Sequence, residues 1–206
     1  YEKLRYYDEY VKSGEYVKSP CFTHFDKVFN ELSGKTLGIA GLGSIGRRVA
    51  DVAKAFGCRV VYFSASGHTY DTEFKRVSFD ELLENSDIIS IHAPLNDKTN
   101  NLFDDAAFAK MKKNAVLLNL GRGPIVNNAA LTKALKENII AGAGLDVIDK
   151  EPIAADNPLL EIQDSSKLII TPHIAWATYE ARVRLMDEVY ENIKAFEAGE
   201  SRNAVV

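Results

Sequence analysis

Two cysteines are all that the 206 residues contain, and neither Cys21 nor Cys58 has the spacing to a second Cys or His that a metal site needs. A chain of this length with so few cysteines need not be stapled by disulfides, and a reducing cytoplasm is the expected compartment. An excess of positive charge is lacking too: 25 Lys and Arg against 29 Asp and Glu leave a net charge of -4, with no basic block and no aromatic-basic stripe. Nucleic acid is therefore not expected as a partner. No apolar run approaches the roughly 20 residues that span a bilayer, so no membrane partner is expected either. No basic-then-apolar leader opens the chain, and its first residue is Tyr1 rather than methionine, which we read as a piece of a longer protein or the product of processing.

What is present is an ordinary globular composition, 46% hydrophobic and 26% charged. From Lys35 onward the short apolar runs TLGIA, RVVYF, DIISIH, AVLLNL, GAGLDV and KLIITPH alternate with helical patterns. Several runs are apolar on both faces, as strands of a covered parallel sheet are. Between them, Ile45, Val49, Val52, Ala53 and Phe56 recur at helical spacing. Ser78 and Glu81 form an S-x-x-E capping box ahead of Leu82 and Leu83, which predicts a short helix there. LTKALKEN and YEARVRLMDEVYENIKAFEAG supply two more. The alternation predicts an α/β fold, a doubly wound parallel sheet of six strands with helices on both faces, over residues 35–206. Residues 1–34 differ. Tyr1, Tyr6, Tyr7, Tyr10 and Tyr16 crowd the first sixteen positions, and Leu4, Tyr7 and Val11 make a helical stripe with little local partner. We read this as a helical or connecting segment that packs on the same domain or meets a second domain or subunit.

One stretch narrows the fold. Gly41, Gly43 and Gly46 in IAGLGSIGRRVA stand between a strand and a helix, the frame that a Rossmann-like dinucleotide fingerprint requires. Gly41 would make the tight turn, Gly43 would let a pyrophosphate approach the backbone, and Gly46 would allow close helix-sheet packing. The amides of Ser44 and Ile45, at a helix N-terminus, would bind the phosphates. An acidic residue expected at the end of the second strand is missing, and Ser64 stands there instead. No arginine follows at Ala65, Ser66 or Gly67. The choice between NAD and NADP stays open on these residues, with NAD favoured.

Ligands of open α/β sheets collect at the carboxyl ends of strands, so reactive side chains just past predicted strands are candidates for chemistry. Arg122 follows AVLLNL, Glu151 follows GLDV, and His173 ends LIITPH. Together they suit the reduction of a 2-keto acid. His173 would supply the proton, Glu151 bonded to its far nitrogen would favour the charged ring, and Arg122 would grip the substrate carboxylate bidentately.

The segments GLGSIGR, HAPLNDKTNNL, LLNLGRGPIVNNAALTKAL, AGAGLDVIDKEP and TPHIAWAT, in this order from about Leu32 onward, resemble the cofactor domain of the D-isomer-specific 2-hydroxyacid dehydrogenases. The resemblance implies that Arg122, Glu151 and His173 are the catalytic triad, with Arg122 and His173 also beside the cofactor. It implies that His92, Ala93 and Pro94 pass beneath the adenosine with Thr99 nearby. Leu120 and Gly121 would approach the nicotinamide ribose, and Asp146 the carboxamide. For His92 and Asp146 a loop-bracing hydrogen bond is an equal alternative, and Trp176 lines the substrate pocket or belongs to the core. Members of the family carry a substrate domain ahead of this segment, so this piece is expected to fold and turn over slowly or not at all. The expected partners are a 2-keto or 2-hydroxy acid and a second copy of the chain. A dinucleotide-sensing, co-repressor-like regulator is the competing function.

Overall fold

The computed structural model describes residues 3–204. These fall into two compact units, one reaching to Thr171 and one from Pro172 onward.

The first unit is built on seven parallel strands: β1 (Thr36–Ala40), β2 (Arg59–Phe63), β3 (Lys75–Arg76), β4 (Ile88–Ile91), β5 (Val116–Asn119), β6 (Gly142–Leu145) and β7 (Leu168–Ile170). Their order across the sheet is β3-β2-β1-β4-β5-β6-β7, so the chain reverses its direction of travel between β1 and β4. That is the Rossmann-like arrangement. Six strands match the six apolar runs. The seventh, β3, is two charged residues with no apolar pattern to announce it; it is held by its register with Val61 and Tyr62. The runs also end earlier than their apolar residues suggest, at Ile91, Leu145 and Ile170. The polar residues that follow, among them His92, Asp146 and Thr171, therefore stand just beyond the sheet.

Helices α1 (Leu4–Lys12), α2 (Ser44–Ala55), α3 (Phe79–Asn85), α4 (Asp105–Lys110) and α5 (Asn128–Lys136) complete this unit. Strand residues alternate between two cores, as the pleat dictates. Leu37, Ile39, Tyr62 and Ile88 meet Ala50 and Ala53 of α2 on one face. Ile89, Ile91, Leu117 and Leu145 meet α3, α4 and α5 on the other. The capping box of α3 is complete: Glu81 N donates to Ser78 Oγ at 3.1 Å and Ser78 N to Glu81 Oε2 at 2.8 Å.

The apolar stripe read for α2 is a correction. Val49 and Ala53 of that stripe do face the sheet, but Ile45, Val52 and Phe56 are 67%, 57% and 61% exposed, and Gly46 and Ala50 complete the buried side in their place. Close approach requires small residues. A Cβ on Gly46 would lie 2.2 Å from Gly41 O, so larger side chains cannot occupy the contact line.

In the 1–34 segment Tyr10 stacks on His24 at 3.8 Å between ring centroids, and the Tyr6 hydroxyl bonds His24 Nε2 at 2.8 Å. Leu4, Val11, Val17, Phe22, Phe25, Val28 and Phe29 are exposed. Tyr1 lies outside the described residues. The second unit contains His173, Trp176 and α6 (Tyr179–Glu197), which Thr178 caps by accepting from Ala181 N. Trp176 is half exposed. Among the described residues no helix is long and apolar enough to cross a membrane.

Candidate functional site

All seven strands being parallel, the loops after them gather along one edge, and glycines draw four of these loops together. Gly41, after β1, has φ +98°, a conformation that a side chain disfavours, and a Cβ on it would lie 2.6 Å from Ala93 N. The glycine loop thus touches the His92–Pro94 loop after β4 backbone to backbone. On the far side of that loop, Gly121 packs against it: a Cβ would lie 3.1 Å from Ala93 O. Gly123 closes the row, where a Cβ would lie 1.8 Å from Ile148 O. GLGSIG, HAP, NLGRG and DVIDKEP, distant along the chain, are therefore adjacent in the fold.

The N-terminus of α2 is open. Side chains of Ser78, Asp104 and Asn127 cap α3, α4 and α5, whereas Gly43 caps α2 with no side chain at all. No atom lies within 4 Å of where a Gly43 Cβ would be. Here the first-turn N–H groups, which no carbonyl of the helix can satisfy, stand at the positive end of the helix dipole. Ser44 and Ile45 open this turn, both exposed.

The neighbouring loops are braced by hydrogen bonds. Ser90 Oγ bonds His92 Nε2 at 2.9 Å, while His92 Nδ1 is buried without a protein partner among the described residues. Burial holds the pKa of this imidazole below its ordinary value, so the ring is neutral near pH 7. Thr99 is fully buried. Its hydroxyl donates to Pro94 O at 2.7 Å and accepts from Asn96 N at 2.9 Å. Thr99 therefore shapes the loop, and its side chain has no surface to offer a ligand. Asn119, absent from the candidates, does the same one strand over: Oδ1 accepts from Gly121 N at 3.1 Å and Nδ2 donates to Arg122 O at 3.0 Å. Its complete burial at a strand end, which the sequence alone does not show, marks it.

Arg122 is exposed beyond β5 and donates from Nη1 to Gly121 O at 2.8 Å. Leu120 is also exposed. Glu151 accepts from Ile148 N at 3.1 Å through Oε1. Asp146 is buried past β6, and its Oδ1 accepts from the Thr171 hydroxyl at 2.6 Å. Ser64 is buried past β2, bonded to Ser66 Oγ at 3.1 Å. His173 has φ +55° and lies in the second unit, next to Pro172 at its start.

A dinucleotide fits the first unit on two observations. The uncapped N-terminus of α2 has open space at Gly43, and the row of glycine contacts brings backbone together at the carboxyl ends of β1 and β4, where the strand order reverses and such ligands bind.

Residues 1–175 match the family described as D-isomer specific 2-hydroxyacid dehydrogenase, NAD binding domain. The chain belongs to this family. Glycerate dehydrogenase from Methylorubrum extorquens is 39% identical over 199 residues, covering 97% of the chain and 62% of that protein. Glyoxylate reductase from Aeropyrum pernix is 42% identical over 198 residues, covering 93% and 58%. The crystal structure of D-lactate dehydrogenase from Aquifex aeolicus, complexed with NAD and lactic acid, superposes with a TM-score of 0.80 at 32% identity, covering 92% of the chain and 61% of its own. The chain thus spans about three fifths of the relatives' length. As an NAD binding domain of this family it is Rossmann-like, in agreement with the glycine fingerprint.

Proposed function

We propose that the chain is the cofactor half of a nicotinamide-dependent D-2-hydroxyacid dehydrogenase that interconverts a 2-keto acid and its D-2-hydroxy acid. The observation that carries the reading is the row of loops joined through Gly41, Gly121 and Gly123 beside the open end of α2. The names of the relatives, glycerate dehydrogenase and glyoxylate reductase, point to a small acid.

The bound nicotinamide supplies or accepts the hydride. Amides of Ser44 and Ile45 bind the pyrophosphate, with Gly43 leaving space for it and Gly41 and Gly46 holding the turn. Ser64 meets the adenosine ribose, the backbone of Ala93 and Pro94 passes beneath it, and His92 and Thr99 brace that loop. Leu120 and Gly121 approach the second ribose, and Asp146 stands by the carboxamide. Arg122, whose planar fork suits a carboxylate, orients the acid and polarises its carbonyl. His173 gives the carbonyl oxygen its proton in reduction and takes it back in oxidation, with Glu151 stabilising the charged imidazole. Residues 1–34 serve contact between domains or subunits, residues 35–206 hold the nucleotide, the assembly is a homodimer, and the compartment is the cytoplasm. Exposed Phe22, Phe25 and Phe29 support the contact role.

The test is oxidation of NADH and NADPH by the whole protein with glyoxylate, hydroxypyruvate and pyruvate. His173→Ala and Arg122→Ala are each expected to lower the rate about 10²–10⁴-fold. Nucleotide binding with no turnover on any 2-keto acid would favour the regulatory reading instead.

A further inference from the structure

Where an NAD-binding domain of this fold ordinarily has a carboxylate at the end of its second strand, this chain has Ser64. Chain order hides what surrounds that position. β3 pairs with β2 in the register Tyr62↔Arg76, so Arg76 shares the face of Tyr62, which is the face that α2 covers. From there its guanidinium reaches the loop that follows β2. Nη1 donates to Thr69 Oγ1 at 3.0 Å, and Nη2 lies 3.8 Å from where a Cβ on Gly67 would begin. Among the described residues no carboxylate oxygen is within 4.0 Å of this cation, and Glu73 of the same loop is paired with Lys54. Arg47 of α2 adds a second cation nearby, stacked on Tyr70 at 4.8 Å, and Tyr70 N is held by the Tyr62 hydroxyl at 3.1 Å. The loop also offers hydroxyls, Ser64 bonded to Ser66, with Ser66 Oγ accepting from His68 N at 3.4 Å.

We propose that Arg76 is a cofactor-specificity residue which, with the hydroxyls of Ser64 and Ser66, forms a subsite for the 2′-phosphate of NADP(H). This rests on the dinucleotide reading above. A carboxylate at position 64 would repel that phosphate, whereas serine accepts it. The guanidinium fork matches phosphate oxygens bidentately, and its bond to Thr69 leaves most of its donors free. With no side chain at Gly67, nothing stands between the cation and the loop backbone.

The test is titration of NADPH and of NADH into the 206-residue chain, followed by nicotinamide fluorescence, with Arg76→Ala, Arg76→Lys and Ser64→Asp beside it. Arg76→Ala is expected to weaken NADPH binding about tenfold or more, the scale of one charge-assisted hydrogen bond, while NADH changes less than about twofold. Unchanged NADH binding in that variant reports an intact fold. Arg76→Lys should recover part of the NADPH affinity, and Ser64→Asp should favour NADH. Equal effects of Arg76→Ala on both cofactors, or none on NADPH, overturn the proposal and leave the dinucleotide site standing. Failure of the unaltered chain to bind either cofactor overturns both.

Discussion

One methyl group separates the glycines that serve the ligand from those that serve the fold. At Gly43 it would enter free space, so Gly43→Ala is expected to cost stability no more than about 1 kcal/mol, the scale of a poor N-cap, while nucleotide affinity falls. At Gly123 the methyl would collide with the Ile148 carbonyl, a backbone atom that cannot swing aside. Gly123→Ala should therefore lower unfolding free energy by about 1–3 kcal/mol or more in urea titrations. Titratable residues divide likewise. Burial depresses the pKa of His92, so the unfolded chain binds its proton first as pH falls through about 6.5. Stability is then expected to decline from that pH down to the lower folded value, and His92→Asn should flatten the decline. At the opposite edge of the sheet, burial pushes the Asp87 carboxyl up, but bonds from Thr36 N and the Lys112 ammonium outweigh it and hold it below the usual range. Its contribution is present above about pH 4, the unfolded value, and is lost as pH falls through the folded one. Asp87→Asn should remove that acid-dependent part, as unfolding at pH 3 against pH 6 would show.

At the scale of elements, α3 and α2 show how much a helix start conveys. Ser78 and Glu81 announce α3 because both halves of a capping box are local side chains that bond backbone three residues away. Ser78→Ala is expected to cost about 1 kcal/mol, read from urea unfolding, with no effect on nucleotide affinity. α2 begins without such a cap, and the same omission leaves its amides available to a phosphate. Its buried side is only partly legible, for a related reason. Hydrophobic periodicity reports which residues avoid water, but contact with the sheet selects for size, and Gly46, Ala50 and Ala53 win that place over Ile45 and Phe56.

For the whole molecule, the exposed apolar side chains between Leu4 and Phe29 are more than scattered surface residues. The proposed homodimer predicts twice the mass of one chain in light scattering, and a Phe22→Ser, Phe25→Ser pair should shift it toward monomer. An unaltered chain that is monomeric at tens of micromolar would sink that assignment. Cys21, exposed in this segment, and Cys58, buried with its Sγ on Leu32 O, are both free thiols, so no covalent link contributes to the first unit.

Local signals made much of this protein legible: alternation of apolar runs with helical periods, the glycine spacing after a strand, the capping box, and the reactive side chains just past three strand ends. Each depends on neighbours within a few positions, so linear order preserves it. What needed the tertiary structure was every contact between distant segments. The two-residue β3, the reversal between β1 and β4, the clamp by Asn119, and the seating of Gly121 on Ala93 and Gly123 on Ile148 have no local pattern. Arg76 illustrates the difference. Twelve positions past Ser64 it reads as one more surface charge, and strand pairing alone brings it to the loop after β2, because register is decided by hydrogen bonds between strands and not by proximity along the chain.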